Sequence, residues 1–88
     1  MVRKISECLW EKDYIEAAYL KIMLKDGKGS YLVALEGKLP ENPTVLYNEI
    51  AEKALPSADK MPIDFIDYSS DFAQRAFKGT SAFYKKRD

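Results

Sequence analysis

The chain reads as an α+β domain on a mixed sheet of three to four strands. Three observations predict this. Apolar residues recur at helical spacing in three segments and alternate at strand spacing in three others. Two of the strand segments are joined by Asp26-Gly27, a hairpin signal. A helical segment then separates the second strand from the third, as in a crossover connection.

The first segment, from about Arg3 to Asp13, carries Ile5, Cys8 and Leu9 at i, i+3 and i+4, with Glu7, Glu11 and Lys12 free to face water. Ile15 to Lys25 follows. There Ala18, Leu20, Ile22 and Leu24 alternate with Tyr19, Lys21, Met23 and Lys25, the pattern of a half-buried strand. Asp26-Gly27-Lys28-Gly29 reads as the turn, since these residues tolerate positive φ. Ser30 to Glu36 is the second strand, with Tyr31, Val33 and Leu35 on one face and Leu32 and Ala34 on the other.

Gly37 to Asn42 reads as a loop. Asn42 suits a helix N-cap, and Pro43 sits where a first-turn proline is tolerated. The helix runs to about Leu55, with Leu46, Ile50 and Ala54 on one stripe, and Pro56 stops it. A polar loop, Ser57 to Met61, leads to a third strand, Ile63 to Tyr68. Ser69, Ser70 and Asp71 are all N-cap types, with Asp71 read as capping a short helix that carries Phe72, Ala73, Ala76 and Phe77. Gly79 fits the C′ position. Ala82-Phe83-Tyr84 suits a terminal edge strand. The crossover is expected to be right-handed, with strand three parallel to strand two or its neighbour. The helices are expected to pack on the sheet as one layer pair.

A chain of 88 residues is one domain, spanning 1–88. A domain of this size buries roughly 60–65% of its unfolded surface, so its core is thin. Fourteen basic residues balance fourteen acidic ones. Binders of nucleic acid or acidic membranes usually carry a basic excess, so neither partner is expected. One cysteine excludes an intrachain disulfide and suits a reducing compartment. The first residues are charged and lack a signal-peptide apolar stretch, and no apolar run approaches the ~20 residues of a membrane span. The expected location is cytoplasmic, and whether 1–88 is a whole protein or a trimmed domain is left open.

Histidine is absent. That removes the commonest general acid/base, the commonest zinc ligand and any Ser-His or Cys-His pair. Asp64, Asp67 and Asp71 are the nearest approach to an acidic cluster, yet Asp64 and Asp67 point to opposite faces of a strand. Capping or solvated carboxylates explain them better than a metal site. Cys8 sits mid-helix on an apolar face and reads as a packed thiol. Gly27 and Gly29 lack the remaining phosphate-loop residues and lie between two strands. Lys85, Lys86 and Arg87 beside Phe83 and Tyr84 are too few to indicate single-stranded nucleic acid. No catalytic residue, metal set or cofactor is read.

The strongest functional signal is aromatic. Trp10, Tyr14, Tyr19, Tyr31, Tyr47, Tyr68 and Tyr84 form a tyrosine-rich set for so small a domain. Such side chains are enriched at interfaces because one end is apolar and the other polar.

Several segments resemble a known family. These are Ala17-Ala18-Tyr19-Leu20, Ser30 to Glu36, Pro62-Ile63-Asp64-Phe65, Phe72 to Ala76, and the closing Phe83-Tyr84-Lys85-Lys86-Arg87. Together they resemble the C-terminal domain of the bacterial enhanced-serine-sensitivity protein SseB, over nearly the whole chain. Ala82 stands where that family often has proline. The resemblance implies a cytoplasmic bacterial protein without an established enzymatic activity, and a name that records a serine-linked phenotype. It also implies that relatives usually carry another domain ahead of this one. It assigns no site residue.

The expected function is a non-enzymatic interaction or regulatory domain. It would present a sheet edge or aromatic rim, near Tyr31, Tyr68, Phe83 and Tyr84, to a protein partner or a second copy of itself. The alternative is a sensor for a small amino acid such as serine.

Overall fold

Helix α1 (Val2–Trp10) opens the chain and buries Ile5, Cys8 and Leu9 against the sheet. Burying an Ile or Leu side chain stabilises by about 1.5–3 kcal/mol, which is why that stripe fixes the helix. The structure, a computed structural model, describes residues 2–54 and 62–86. The helix ends at Trp10, earlier than the sequence suggests, and the Lys12 N–H closes a turn onto the Leu9 carbonyl at 2.9 Å.

β1 (Ile15–Lys25) and β2 (Lys28–Gly37) form the antiparallel hairpin. Their turn is shorter than expected. Only Asp26 (φ 52°) and Gly27 (φ 77°) lie outside the strands, and both have the positive φ of a type I′ turn. Lys28 and Gly29 already pair with Lys25 and Leu24. At the other end a bulge shifts the register between Ile15 and Ala17 and brings Gly37 opposite Ile15.

α2 (Thr44–Ala54) connects β2 to β3 (Ile63–Asp67), which runs parallel to β2 as its direct neighbour. The Asn42 side chain accepts from the Thr44 N–H at 3.2 Å, the expected capping contact. The predicted stop at Leu55-Pro56, the loop Ser57 to Met61 and the terminal Arg87-Asp88 lie outside the described residues.

α3 (Asp71–Ala76) is capped by Ser70, whose side chain accepts from the Ala73 N–H at 3.2 Å. Asp71 is therefore the first helical residue and not the cap. The helix closes at Phe77, and the positive-φ Gly79 lies two residues beyond, one further than the expected C′ position. β4 (Tyr84–Lys85) pairs antiparallel with β1 at Ala17 and Ala18. The sheet order is β3-β2-β1-β4, a mixed four-stranded sheet.

The layering departs from the expected single pair. α1 and α2 cover one face, packing with Ala18, Val33, Leu35 and Tyr84. α3 covers the other, where Ala73 and Phe77 meet Leu32 and Ala34. β2 needs both covers, because Leu32, Val33, Ala34 and Leu35 alternate between faces and are all buried. β1 is buried only in its first half. Ile22 and Leu24 share the face of Ala18, as predicted, but are 57% and 80% exposed because the hairpin runs past the helices.

Candidate interaction site

The helical stripe beside the buried face of α1 carries Arg3, Ser6, Glu7 and Trp10, at i, i+3, i+4 and i+7. These four residues form one wall of a solvent-open cleft of about 570 Å³. Phe83, Tyr84 and Lys85 form the other wall. The volume lies within the range of small-molecule and side-chain pockets.

The second wall is held by long-range contacts. Tyr84 is buried, and its hydroxyl donates to the Leu9 carbonyl at 3.4 Å. Burial raises its phenol pKa above the ordinary value. The Lys86 ammonium donates to the Asp13 carbonyl at 2.6 Å, and its backbone N–H donates to Glu16 at 2.8 Å. Phe83 is half-buried and packs against the core. Trp10 is 65% exposed although it is the largest side chain in the chain. Arg3 Nε lies 3.4 Å from Glu7 Oε1, so the rim carries a cation and an anion one helical turn apart.

The four residues singled out from the sequence do not converge. Phe83 and Tyr84 line the cleft. Tyr31 sits on the same sheet face but pairs with Ile22, four residues along β1 from Ala18, or about 13 Å at strand spacing. Tyr68 lies on the opposite face, stacked on Tyr19. Trp10 belongs to the aromatic set singled out from the sequence but was not placed at the contact, and Arg3, Ser6 and Glu7 were missed. The signal was present: a tryptophan at i+7 from Arg3, one position off the buried stripe.

Cys8 is a buried thiol whose pKa is raised by burial first and the charge of Glu49 second, so it is a poor nucleophile. Asp67 accepts from the Ser69 N–H at 2.9 Å and its hydroxyl at 2.8 Å, an Asx-turn that leads into α3. Asp64 pairs in register with Leu32 and Asp67 with Leu35, which places the two carboxylates on opposite faces. Among the described residues no helix is long and apolar enough to cross a membrane.

A family model for the SseB protein C-terminal domain matches residues 1–86. The chain belongs to this family. The matched span takes in both walls of the cleft, from Arg3 to Lys85. No curated protein and no solved structure matched the chain.

Proposed function

We propose that this SseB C-terminal domain is a non-enzymatic, cytoplasmic protein-interaction module. Its α1–β4 cleft would take an apolar partner side chain flanked by a carboxylate. One observation carries the reading: Trp10 stands 65% exposed across an open cleft from half-buried Phe83. Exposed aromatic side chains beside a packed floor are the usual anchors of protein interfaces. Lys85 and Arg3 at the rim favour an acidic neighbour to the anchor.

The test uses Trp10 as both probe and target, since it is the single tryptophan. A partner captured from lysate by the wild-type chain should be lost from Trp10→Ala and should shift the tryptophan emission of the wild type when purified and added back. Capture that survives both Trp10→Ala and Phe83→Ala would place the contact elsewhere. Tyr84→Ala is a poorer probe, because Tyr84 is buried and its loss disturbs β4 itself.

A second reading is favoured by the paired charges on the rim. Arg3 and Glu7 beside an aromatic floor match the carboxylate and ammonium of a free amino acid such as serine. A ligand at a hundred times its dissociation constant stabilises by about 2.7 kcal/mol. For a domain of this size each kcal/mol raises the melting temperature by roughly 4–8 °C. A selective shift with one amino acid supports sensing, and a flat panel supports the protein partner.

A further inference from the structure

β4 covers only the start of the outer edge of β1. The Phe83 N–H donates to the Ala18 carbonyl at 2.9 Å and the Lys86 N–H to the Glu16 carbonyl at 2.8 Å, and the pairing stops there. Backbone groups alternate sides along a strand, so the even-numbered residues of β1 direct theirs away from β2. Leu20, Ile22 and Leu24 continue that series. Among the described residues no backbone hydrogen bond reaches them from the β4 side.

The same three residues place their side chains on the α1/α2 face, where cover thins out. Leu20 is half-buried, Ile22 is 57% exposed and Leu24 is 80% exposed. Natural edge strands are normally guarded by a charge on the apolar face, a proline or a bulge. Leu20-Lys21-Ile22-Met23-Leu24 has no proline, and its one charge lies on the other face. There the Lys21 ammonium donates to the Ala76 carbonyl at 2.8 Å and so does not guard the edge.

We propose that this edge pairs with the same edge of a second copy of the chain, antiparallel about a two-fold axis through Ile22. In that register Ile22 meets Ile22, Leu20 meets Leu24, and Lys21 meets Met23. The outward groups of Leu20, Ile22 and Leu24 then find partners in both copies. An axis perpendicular to the sheet keeps their side chains on one face, continuous with Tyr31, which pairs opposite Ile22. Other registers fit worse. Centring on Lys21 sets two lysines opposite each other and drives the strand residue Leu24 against Ala18, which β4 already occupies, whereas centring on Ile22 brings only the turn residue Asp26 level with Ala18. Centring on Met23 leaves Leu20 facing the turn at Asp26. A strand from an unrelated protein would need only the free backbone. The symmetric order of Leu20, Ile22 and Leu24 favours an identical strand.

The paired segment is short and falls at the low end of stable interface sizes, so the dimer forms only at high concentration. It shares no residue with the α1–β4 cleft and depends on the proposed function only in treating the domain as a binding module.

Sedimentation of the wild-type chain from micromolar to millimolar concentration should show the mass rising from one copy toward two. Ile22→Lys and Ile22→Glu should each weaken association by at least about tenfold, through like charges on the axis. Because Ile22 is exposed, circular dichroism and the melting temperature of the dilute protein should stay unchanged. An equal mixture of the two variants should regain association, since unlike charges then meet. A chain that stays monomeric at millimolar concentration overturns the proposal, as does association unaffected by either variant or a mixture that fails to recover. Trp10→Ala should leave the dimer intact. Lost partner capture with an intact dimer, or the reverse, therefore separates failure of one reading from failure of the other.

Discussion

Tyr19 and Tyr68 stack face to face with ring centroids 4.1 Å apart and planes 11° from parallel. Tyr19 lies on β1 and Tyr68 just past β3, so the pair spans β2. Ala34 makes this geometry available: it pairs with Tyr19 on one side and Ile66 on the other, and its methyl leaves room for two rings above it. The Tyr19 hydroxyl donates to Glu36 Oε1 at 3.0 Å, and Phe77 tilts against the Tyr19 ring at 5.9 Å. The stack ties β1 and the end of β3 to the α3 layer.

Removing the Tyr19 hydroxyl tests the polar half of this arrangement. Tyr19→Phe should cost about 1 kcal/mol, the net worth of an ordinary hydrogen bond. Tyr68→Ala should cost about 3 kcal/mol, the low end for truncating a packed ring. A double-mutant cycle with alanine at both positions should return a coupling of about 0.5–1.5 kcal/mol, and additivity would mean the rings do not interact.

Gly37 is the most constrained of the positive-φ glycines among the described residues. Its φ is +146°, and an added Cβ would fall on the Tyr14 carbonyl oxygen, backbone that has no flexible end to move aside. Gly37→Ala should cost at least about 1–3 kcal/mol in urea unfolding. Gly27 has open space around it at φ +77°, so Gly27→Asn should be nearly neutral because asparagine tolerates the left-handed region. Equal losses at the two sites would contradict the close approach at the bulge.

α3 depends on its cap. Ser70→Ala removes the acceptor for the Ala73 N–H and should cost about 1 kcal/mol. Asp71→Asn keeps the cap and should cost less, through the helix dipole alone. Faster hydrogen exchange at Ala73 and Gln74 in Ser70→Ala, but not in Asp71→Asn, would identify Ser70 as the cap in solution.

Stability should fall at alkaline pH. Burial pushes up the Cys8 thiol and the Tyr19, Tyr47 and Tyr84 phenols, and the hydrogen bond to Glu49 pushes up Lys12. In each case the folded state holds its proton more tightly than the unfolded chain, so the unfolded chain binds fewer protons at high pH. These contributions are intact well below pH 9, where an unperturbed Cys8 thiol is half ionised, and are lost as pH rises further. The melting temperature should therefore decline from about pH 9 upward, and Cys8→Ala should delay the onset. A flat profile to pH 11 would be inconsistent with the burial of these groups.

Local order was legible in the sequence wherever short-range rules decide. The i, i+3, i+4 spacing of Ile5, Cys8 and Leu9 marks the buried stripe of α1, and Asp26-Gly27 marks the hairpin. The α2 segment between β2 and β3 predicts the parallel pairing that the sheet shows. The candidate site was half legible. Phe83 and Tyr84 were identified and Trp10 was named among the aromatic residues, while the Arg3-Ser6-Glu7-Trp10 wall opposite Phe83 was not, because nothing local brings residue 10 to residue 83.

By itself the sequence determined the element types, the hairpin, the crossover and the Asn42 cap of α2. Periodicity of 3.6 or 2 and the backbone preferences of glycine, proline, serine and asparagine act within a few residues of their source. Only the tertiary structure decided that α3 covers the face opposite α1 and α2, and that β4 joins the outer edge of β1 to close the Trp10–Phe83 cleft. It also decided that Ile22 and Leu24 emerge from the cover predicted for their strand. Each of these depends on which apolar surfaces meet across the fold. That free energy belongs to pairs of distant segments, so no single segment carries it.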